Sequence, residues 1–254
     1  MTSKDCDVFL ETVVEFGRRL IATGCEAKRV EDTLTRICNA YGFDDNEIYA
    51  VTSHIVITIK GPDGMHYTQS ARVFGSGTDL GRLEELNAES RYICENTPSI
   101  EEFRKLIRSY QKPKSNRIIK IIGYMLAAGS FAVFFGGTWI DGIASALVAV
   151  IIYFMDCFMK PKVQNSTIYT FIASFISGCF GILIFLLGLG SDVDKIMIGD
   201  VMLLIPGLLL VNSIKEMFNS DILTGLYKFV EAVFIAVAIG GGFALSYIAL
   251  GGVM

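Results

Sequence analysis

Histidine is scarce in this chain: His54 and His66 are the two present in 254 residues. Neither stands near a cysteine cluster, so both read as structural or surface residues and no metal site is expected. The six cysteines, Cys6, Cys25, Cys38, Cys94, Cys157 and Cys179, form no CxxC pair and no zinc-ligand spacing. They are expected to be reduced thiols, the first four in a cytoplasmic domain. No glycine-rich phosphate loop, GxSxG or HExxH occurs, which leaves no signature of an enzyme and no expected cofactor. A net charge of −4, without a basic stripe along the chain, speaks against a nucleic-acid partner. The segment from Thr2 to Arg19 mixes charges into its apolar residues; no signal peptide is expected, and the N-terminal domain should stay in the cytoplasm.

Apolar length, by contrast, is abundant. Mean hydropathy is +0.50 and 52% of residues are hydrophobic, high for a domain bathed in water. Most charges precede Lys120, and long apolar runs with short polar breaks follow it. The two parts therefore face different solvents. We expect a cytoplasmic α+β domain over residues 1–112 and a membrane α-helical domain over 113–254.

In the first part, Phe9, Val13, Phe16 and Leu20 recur at helical spacing, as do Val30, Leu34, Ile37, Cys38 and Tyr41. Gly24 and Gly42 are placed to end these helices. The period then becomes two. Ile55, Ile57 and Ile59 share one face of a strand, and Gly61-Pro62-Asp63-Gly64 is a turn signal. Residues 65–73 alternate again, with Met65, Tyr67, Ala71 and Val73 on one face, and 48–52 form a shorter strand before them; together these predict an antiparallel meander. Two helices follow, over 79–95 and 100–110. The second is capped either by Thr97 with Pro98 or by Ser99 with Glu102. Pro113 breaks the chain before the membrane.

The second part divides into about five apolar spans near the ~20 residues a bilayer needs: 118–137, 142–159, 168–189, 193–211 and 229–254. Arg104, Lys105, Arg108, Lys112, Lys114, Arg117 and Lys120 flank the first span, Lys160 and Lys162 follow the second, and Lys215 and Lys228 lie between the last two. The break at 136–141 has no basic residue, and that at 190–195 is mostly acidic. This alternation predicts an inside N-terminus and an outside C-terminus, with the first cluster a positive-inside flank; a lipid-headgroup site is the other reading of that cluster. Gly123 with Ala127, Ser174 with Gly178, and Gly240-Gly241-Gly242 suggest close helix contacts.

Several polar groups fall where lipid is expected. Asp200 lies inside the fourth span, close to Lys195. It either reaches the outer interface or lines a polar path; charge at the centre of a span costs about 2.5–3.5 kcal/mol on insertion scales. Pro206-Gly207 interrupts the same span, as a plain kink or as the kind of break transporters use to bind substrate near the midplane. Asn212, Glu216, Asp221 and Glu231 follow the break, and Asp156 sits near the end of the second span. Glu216 and Asp221 read as solvated loop residues or, with Glu231, as a proton relay or cation site.

The residues Thr23-Gly24-Cys25-Glu26-Ala27-Lys28-Arg29-Val30-Glu31-Asp32-Thr33 resemble the opening motif of the threonine/serine exporter family, in which Gly and Glu precede an Arg-Val-Glu-Asp-like run at a helix start. Tyr41-Gly42, Val51-Thr52-Ser53-His54-Ile55 and the stretch from Asp79-Leu80 to Leu86-Asn87 fit the same pattern. Leu204-Ile205-Pro206-Gly207, with Asn212 downstream, resembles the family's Pro-Gly span, so the resemblance covers nearly the whole chain. It departs at Glu216, where Asp is expected.

The resemblance implies export of a small hydrophilic metabolite, an amino acid such as threonine or serine or a dicarboxylate such as succinate, across the cell membrane. The family's single-chain form has about ten spans of bilayer length and this chain about five. It therefore resembles the larger component of the split, succinate-type exporter, in which a second small membrane subunit supplies the remaining helices. An oligomer is also expected, because a half-sized chain encloses little. On this reading Gly24, Glu26, Arg29, Glu31 and Asp32 form the cytoplasmic-domain motif, and Asp200, Pro206, Gly207, Asn212, Glu216, Asp221 and Glu231 serve the transport path or its coupling. Two other readings remain: a membrane-anchored metabolite sensor or enzyme using the cytoplasmic domain, and a scaffold for a partner channel. About five spans are more than an anchor needs.

Overall fold

The computed structural model describes residues 3–73, 77–109, 116–163, 165–219 and 221–250. By compactness it divides into two units: Met1–Pro113 with Asn212–Leu226, and Lys114–Val211 with Tyr227–Met254. The expected division into 1–112 and 113–254 puts 212–226 in the membrane domain, between its fourth and fifth spans. The structure groups this stretch with the first unit, where the Nζ of Lys215 meets the Oε1 of Glu26 at 2.7 Å.

In the first unit, α1 (Ser3–Ala22) and α2 (Ala27–Ala40) bury the faces that their spacing predicts: Phe9, Val13, Phe16 and Leu20 on α1, and Val30, Leu34, Ile37 and Cys38 on α2. Both helices end at glycine. Gly24 and Gly42 have φ of +84°, and each is bracketed by two turn hydrogen bonds: Gly24 N–H to Ile21 O and Cys25 N–H to Leu20 O, then Gly42 N–H to Asn39 O and Phe43 N–H to Cys38 O. This is the left-handed cap that a Cβ would strain.

Three antiparallel strands follow in the order β1 (Asn46–Val51), β2 (His54–Lys60), β3 (His66–Arg72). Ile55, Ile57 and Ile59 are fully buried. Tyr67, Ala71 and Val73 join the same core, but Met65, expected beside them, is exposed at the turn. There Asp63 accepts hydrogen bonds from the Met65 N–H at 3.1 Å and the Tyr67 hydroxyl at 2.5 Å. α3 (Leu80–Asn96) starts at Asp79, whose carboxylate accepts the Arg82 N–H at 3.1 Å. For α4 (Ile100–Ser109), Ser99 and Glu102 make the reciprocal cap, whereas Thr97 adopts a left-handed conformation that ends α3. Tyr110 and Pro113, assigned to the end of this helix and the break after it, lie outside the described residues.

The second unit is built from α5 (Arg117–Phe134), α6 (Trp139–Phe158), α7 (Ser166–Leu186), α8 (Val193–Leu204), the start of α9 (Gly207–Phe218) and most of α10 (Ile222–Leu250). Side-chain oxygens of Asn116, Thr138, Asn165 and Asp192 accept first-turn N–H groups and so start α5, α6, α7 and α8. Among the described residues four helices are long and apolar enough to cross a membrane, and a fifth crossing is counted if the bent pair α8–α9 is one span. The span expected over 193–211, with an interruption at Pro206-Gly207, is two helices bent by 52°. The last helix begins at 222 rather than 229, and residues 251–254 lie outside the described residues. Large side chains such as Phe134, Trp139, Phe158, Leu187 and Ile248 are exposed, which suits hydrocarbon and not water.

Glycines set how closely these helices approach. A Cβ on Gly199 would meet Ser145 Oγ at 2.4 Å and Ala128 O at 2.6 Å, wedging α8 from both α6 and α5. One on Gly242 of α10 would meet Phe171 O at 2.6 Å and Ser174 Cβ at 2.7 Å in α7. Gly123 and Gly240, named as contact residues from sequence, have nothing within 4 Å of that position. Gly240 and Gly242 of α10 should therefore respond differently to alanine. Gly242→Ala is expected to destabilise the purified protein by about 1–3 kcal/mol. Gly240→Ala should leave the thermal midpoint in detergent unchanged or slightly raised, since alanine favours helix. Equal midpoints for the two variants would contradict this packing.

Candidate functional site

Asp200 faces protein on every side. It is fully buried on α8; Oδ1 accepts the Ser145 hydroxyl at 3.0 Å, and Oδ2 has no hydrogen-bond partner among the described residues. The adjacent Gly199 brings α8 against Ser145 closely enough for that hydrogen bond. A carboxylate enclosed in this way is costly to hold charged without a second partner. Its free oxygen is placed to carry a proton or to meet a cation or a substrate donor.

The break lies just beyond. α8 ends at Leu204, and Ile205 turns extended, with φ −60° and ψ 128°. A residue before proline is driven out of the helical region, which accounts for the turn. Pro206 is half-buried, and its carbonyl accepts the Leu210 N–H at 3.0 Å, so the proline opens α9 instead of lying within a helix. Gly207 is exposed, with open space where a Cβ would stand. The bend therefore follows from the proline, and no close contact requires the glycine.

Past the break, α9 carries Asn212, half-buried, and Glu216, buried. Glu216 was read as either a loop carboxylate or a relay member; it lies on a helix, inside the first unit. Asp221 accepts the Thr224 N–H at 3.3 Å and opens α10. In this unit the stretch meets the N-terminal motif. Gly24 turns the chain into α2, and Glu26, at the helix start, takes Lys215. Glu31 Oε1 accepts the Ala50 N–H at 2.9 Å, which joins α2 to β1. Asp32 pairs with Arg36 at 2.8 Å on the exposed face, and Arg29 is exposed. Burial pushes the Glu31 carboxyl above its ordinary range and the charge of Asp221 adds to this, while the Ala50 N–H and Lys28 oppose it.

Glu231 is half-buried on α10 in the second unit, and no hydrogen bond or ion pair joins it to Asp200. Asp156 accepts hydroxyl hydrogen bonds from Tyr124 and, at 2.6 Å, from Tyr169, with Lys160 at 3.5 Å. These contacts tie α5, α6 and α7 together at one end.

At the other end stands Asp141, which the sequence reading did not single out. It is fully buried and accepts four hydrogen bonds: the Thr138 N–H and hydroxyl at 2.7 Å, the Ser191 N–H at 2.5 Å and the Asp192 N–H at 3.1 Å. The spacing of Thr138 and Asp141, a capping box, was the available signal. Ser145, one turn further along α6, gave no such signal. Among the described residues no group of three or more His, Cys, Asp or Glu is placed to hold a metal ion.

The Glu31 environment has a measurable consequence. A carboxyl with a raised folded-state pKa contributes stability that is full below its unfolded value and is lost as pH rises through the folded one. Glu31→Gln keeps the acceptor for Ala50 and removes the charge. Its thermal midpoint at pH 7 should equal or exceed the parent's, and the gap should close as pH falls below about 4.3, the unfolded value for Glu. A variant melting lower than the parent at pH 7 would show that the charge itself is required.

The family model described as "Putative threonine/serine exporter" matches residues 11–249. Two curated relatives bear the name "Probable succinate transporter subunit YjjP". The Klebsiella aerogenes protein is 23% identical over 225 residues, covering 86% of this chain and 85% of its own length. The Escherichia coli (strain K12) protein is 21% identical over 226 residues, covering 89% and 88%. No solved structure matches. The family match takes in the N-terminal motif, the buried Asp200 and the Pro206 break alike. With these apolar helices the chain is a multi-pass membrane protein, and it belongs to the threonine/serine exporter family.

Proposed function

We propose that this chain is one component of a small-metabolite exporter in the cytoplasmic membrane and works with a second small membrane subunit. The observation that carries this reading is Asp200, a carboxylate sealed among α5, α6 and α8 with one oxygen unpartnered, in the helix that ends at the Pro206 break. Broken spans with polar groups beside them are the usual way to build a binding site at membrane depth. The relatives' names include both "transporter" and "subunit", which supports an assembly of more than one chain. The substrate is an amino acid such as threonine or serine, or a dicarboxylate such as succinate.

Two structural features support an orientation with the N-terminus inside and the C-terminus outside. Arg117, Lys120, Lys160 and Lys162 flank one set of helix ends, while Asp141, Asp192 and Asp194 mark the other, which fits the positive-inside rule. Counted as one crossing, α8–α9 returns the chain to the side of the N-terminal unit, and the stretch Asn212–Leu226 does belong to that unit. On this reading residues 1–112 are cytoplasmic, and their motif holds the segment just beyond the break. The Glu26–Lys215 pair is exposed enough to be worth no more than about 1 kcal/mol, so it suits a contact that forms and releases in each cycle.

Asp200 then alternates between holding a proton and releasing it, which couples export to proton entry, and Glu231 continues the polar route. Asp200→Asn and Glu231→Gln should each reduce metabolite release while membrane abundance stays at the parental level. Release is read by mass spectrometry of the medium from cells carrying this chain alone, with its partner subunit, or with neither. A specific acid or amino acid that appears only with both chains names the substrate. Unchanged media in every combination, or full release by both variants, would overturn the proposal.

A further inference from the structure

We propose that the N-terminal unit contains a binding pocket for a small soluble oxyanion carrying two negative charges, a dicarboxylate or inorganic phosphate. The site is separate from Asp200 and does not rest on the transport reading. A cavity of about 310 Å³ opens between α1, β3 and α4. Arg18 and Arg19 line it from α1, and Arg104 and Arg108 from α4. Glu11 and Glu15 also face it, leaving four positive charges against two negative, a net of +2. Gln69 and Ser70 of β3 add neutral polar groups.

Arg19 and Arg104 are held by the fold, and all four arginines have donors to spare. Arg19 Nε donates to Glu15 Oε1 at 3.0 Å, and its Nη1 donates to the Ile107 carbonyl, which links α1 to α4. Arg104 Nε donates to Thr12 Oγ1 at 3.1 Å, and its Nη2 donates to Glu11, linking α4 back to α1. Arg18 donates to Glu15 Oε2 at 3.0 Å, and Arg108 makes no hydrogen bond or ion pair with the described residues. Each guanidinium has five N–H donors, so these contacts occupy only part of every fork. Forks held in place are suited to grip carboxylate or phosphate oxygens two at a time. The cavity is at the small end of ligand pockets, which run from about 300 to 1,000 Å³, so it suits a molecule of a few heavy atoms and not a nucleotide. A dianion would cancel the net charge. Arg104 and Arg108 belong to the basic run read from sequence as a bilayer flank, but here they face α1.

The test is hydrogen–deuterium exchange on the full-length protein in neutral detergent, with succinate, inorganic phosphate or lactate at equal ionic strength. Millimolar succinate or phosphate should slow exchange in peptides covering Ser3–Ala22 and Ile100–Ser109, and the monoanion lactate should not. Arg18→Gln with Arg108→Gln, chosen because both side chains are exposed, should weaken that protection more than about tenfold in concentration. Asp200→Asn should leave it intact, which separates this pocket from the transport path. If the double variant proves unstable, Glu11→Gln is the second probe, and tighter protection is expected from it. The proposal is overturned if neither dianion protects these helices, if lactate does so equally, if protection survives the double arginine change, or if only anionic phospholipid produces it.

Discussion

Hydrocarbon offers no hydrogen bonds, so every polar atom in the apolar half of this chain must find its partner inside the protein. Three aspartates show how far that requirement is met. Asp141 accepts four hydrogen bonds and joins the α5–α6 turn to the α7–α8 turn. Asp156 accepts two tyrosine hydroxyls and lies beside Lys160. Asp200 has a single serine hydroxyl. In the first two, both carboxylate oxygens have partners. The third is as deeply enclosed and has an oxygen left over, which is the feature on which its proposed role rests.

Close packing makes that enclosure possible. Gly199 lets α8 sit against the backbone of α5 and the side chain of Ser145, and any Cβ there would push the carboxylate out of reach. Pro206 then stops the helix from continuing, because Ile205 before it cannot stay helical and the proline has no N–H to offer. A rigid seat for a carboxylate and a bend of 52° thus stand next to one another in the chain. The stretch beyond the bend leaves the membrane helices for the N-terminal unit, where Glu26 holds Lys215 and Asp221 adds its charge to the environment of Glu31.

Much of this was legible beforehand. Periods of 3.6 and 2 exposed the helices and the meander, because one buried face imposes its spacing on the residues that cover it. Gly24 and Gly42 marked helix ends through their freedom at positive φ, and Pro206 marked the break. Other features were not legible. Ser145 and Asp141 come near Asp200 and the Ser191–Asp192 turn, respectively, across 55 and 50 positions of chain, and Gly199 has no local role that would have singled it out. Gly123 and Gly240 looked like contact glycines, but open space lies where their Cβ would stand, since a small residue permits close approach without causing it.

By itself, then, the sequence determined which stretches are apolar enough to cross a membrane, where many of the helices start and stop, and that the stretch holding Asp200 is interrupted. These are properties of composition and of backbone chemistry within a few residues. Only the tertiary structure decided that Asp200 is fully buried against its neighbours, that residues 212–226 belong with the N-terminal unit, and that Arg18, Arg19, Arg104 and Arg108 surround one cavity. Each depends on which faces of distant helices meet, and that is settled by packing over the whole unit and not by local spacing.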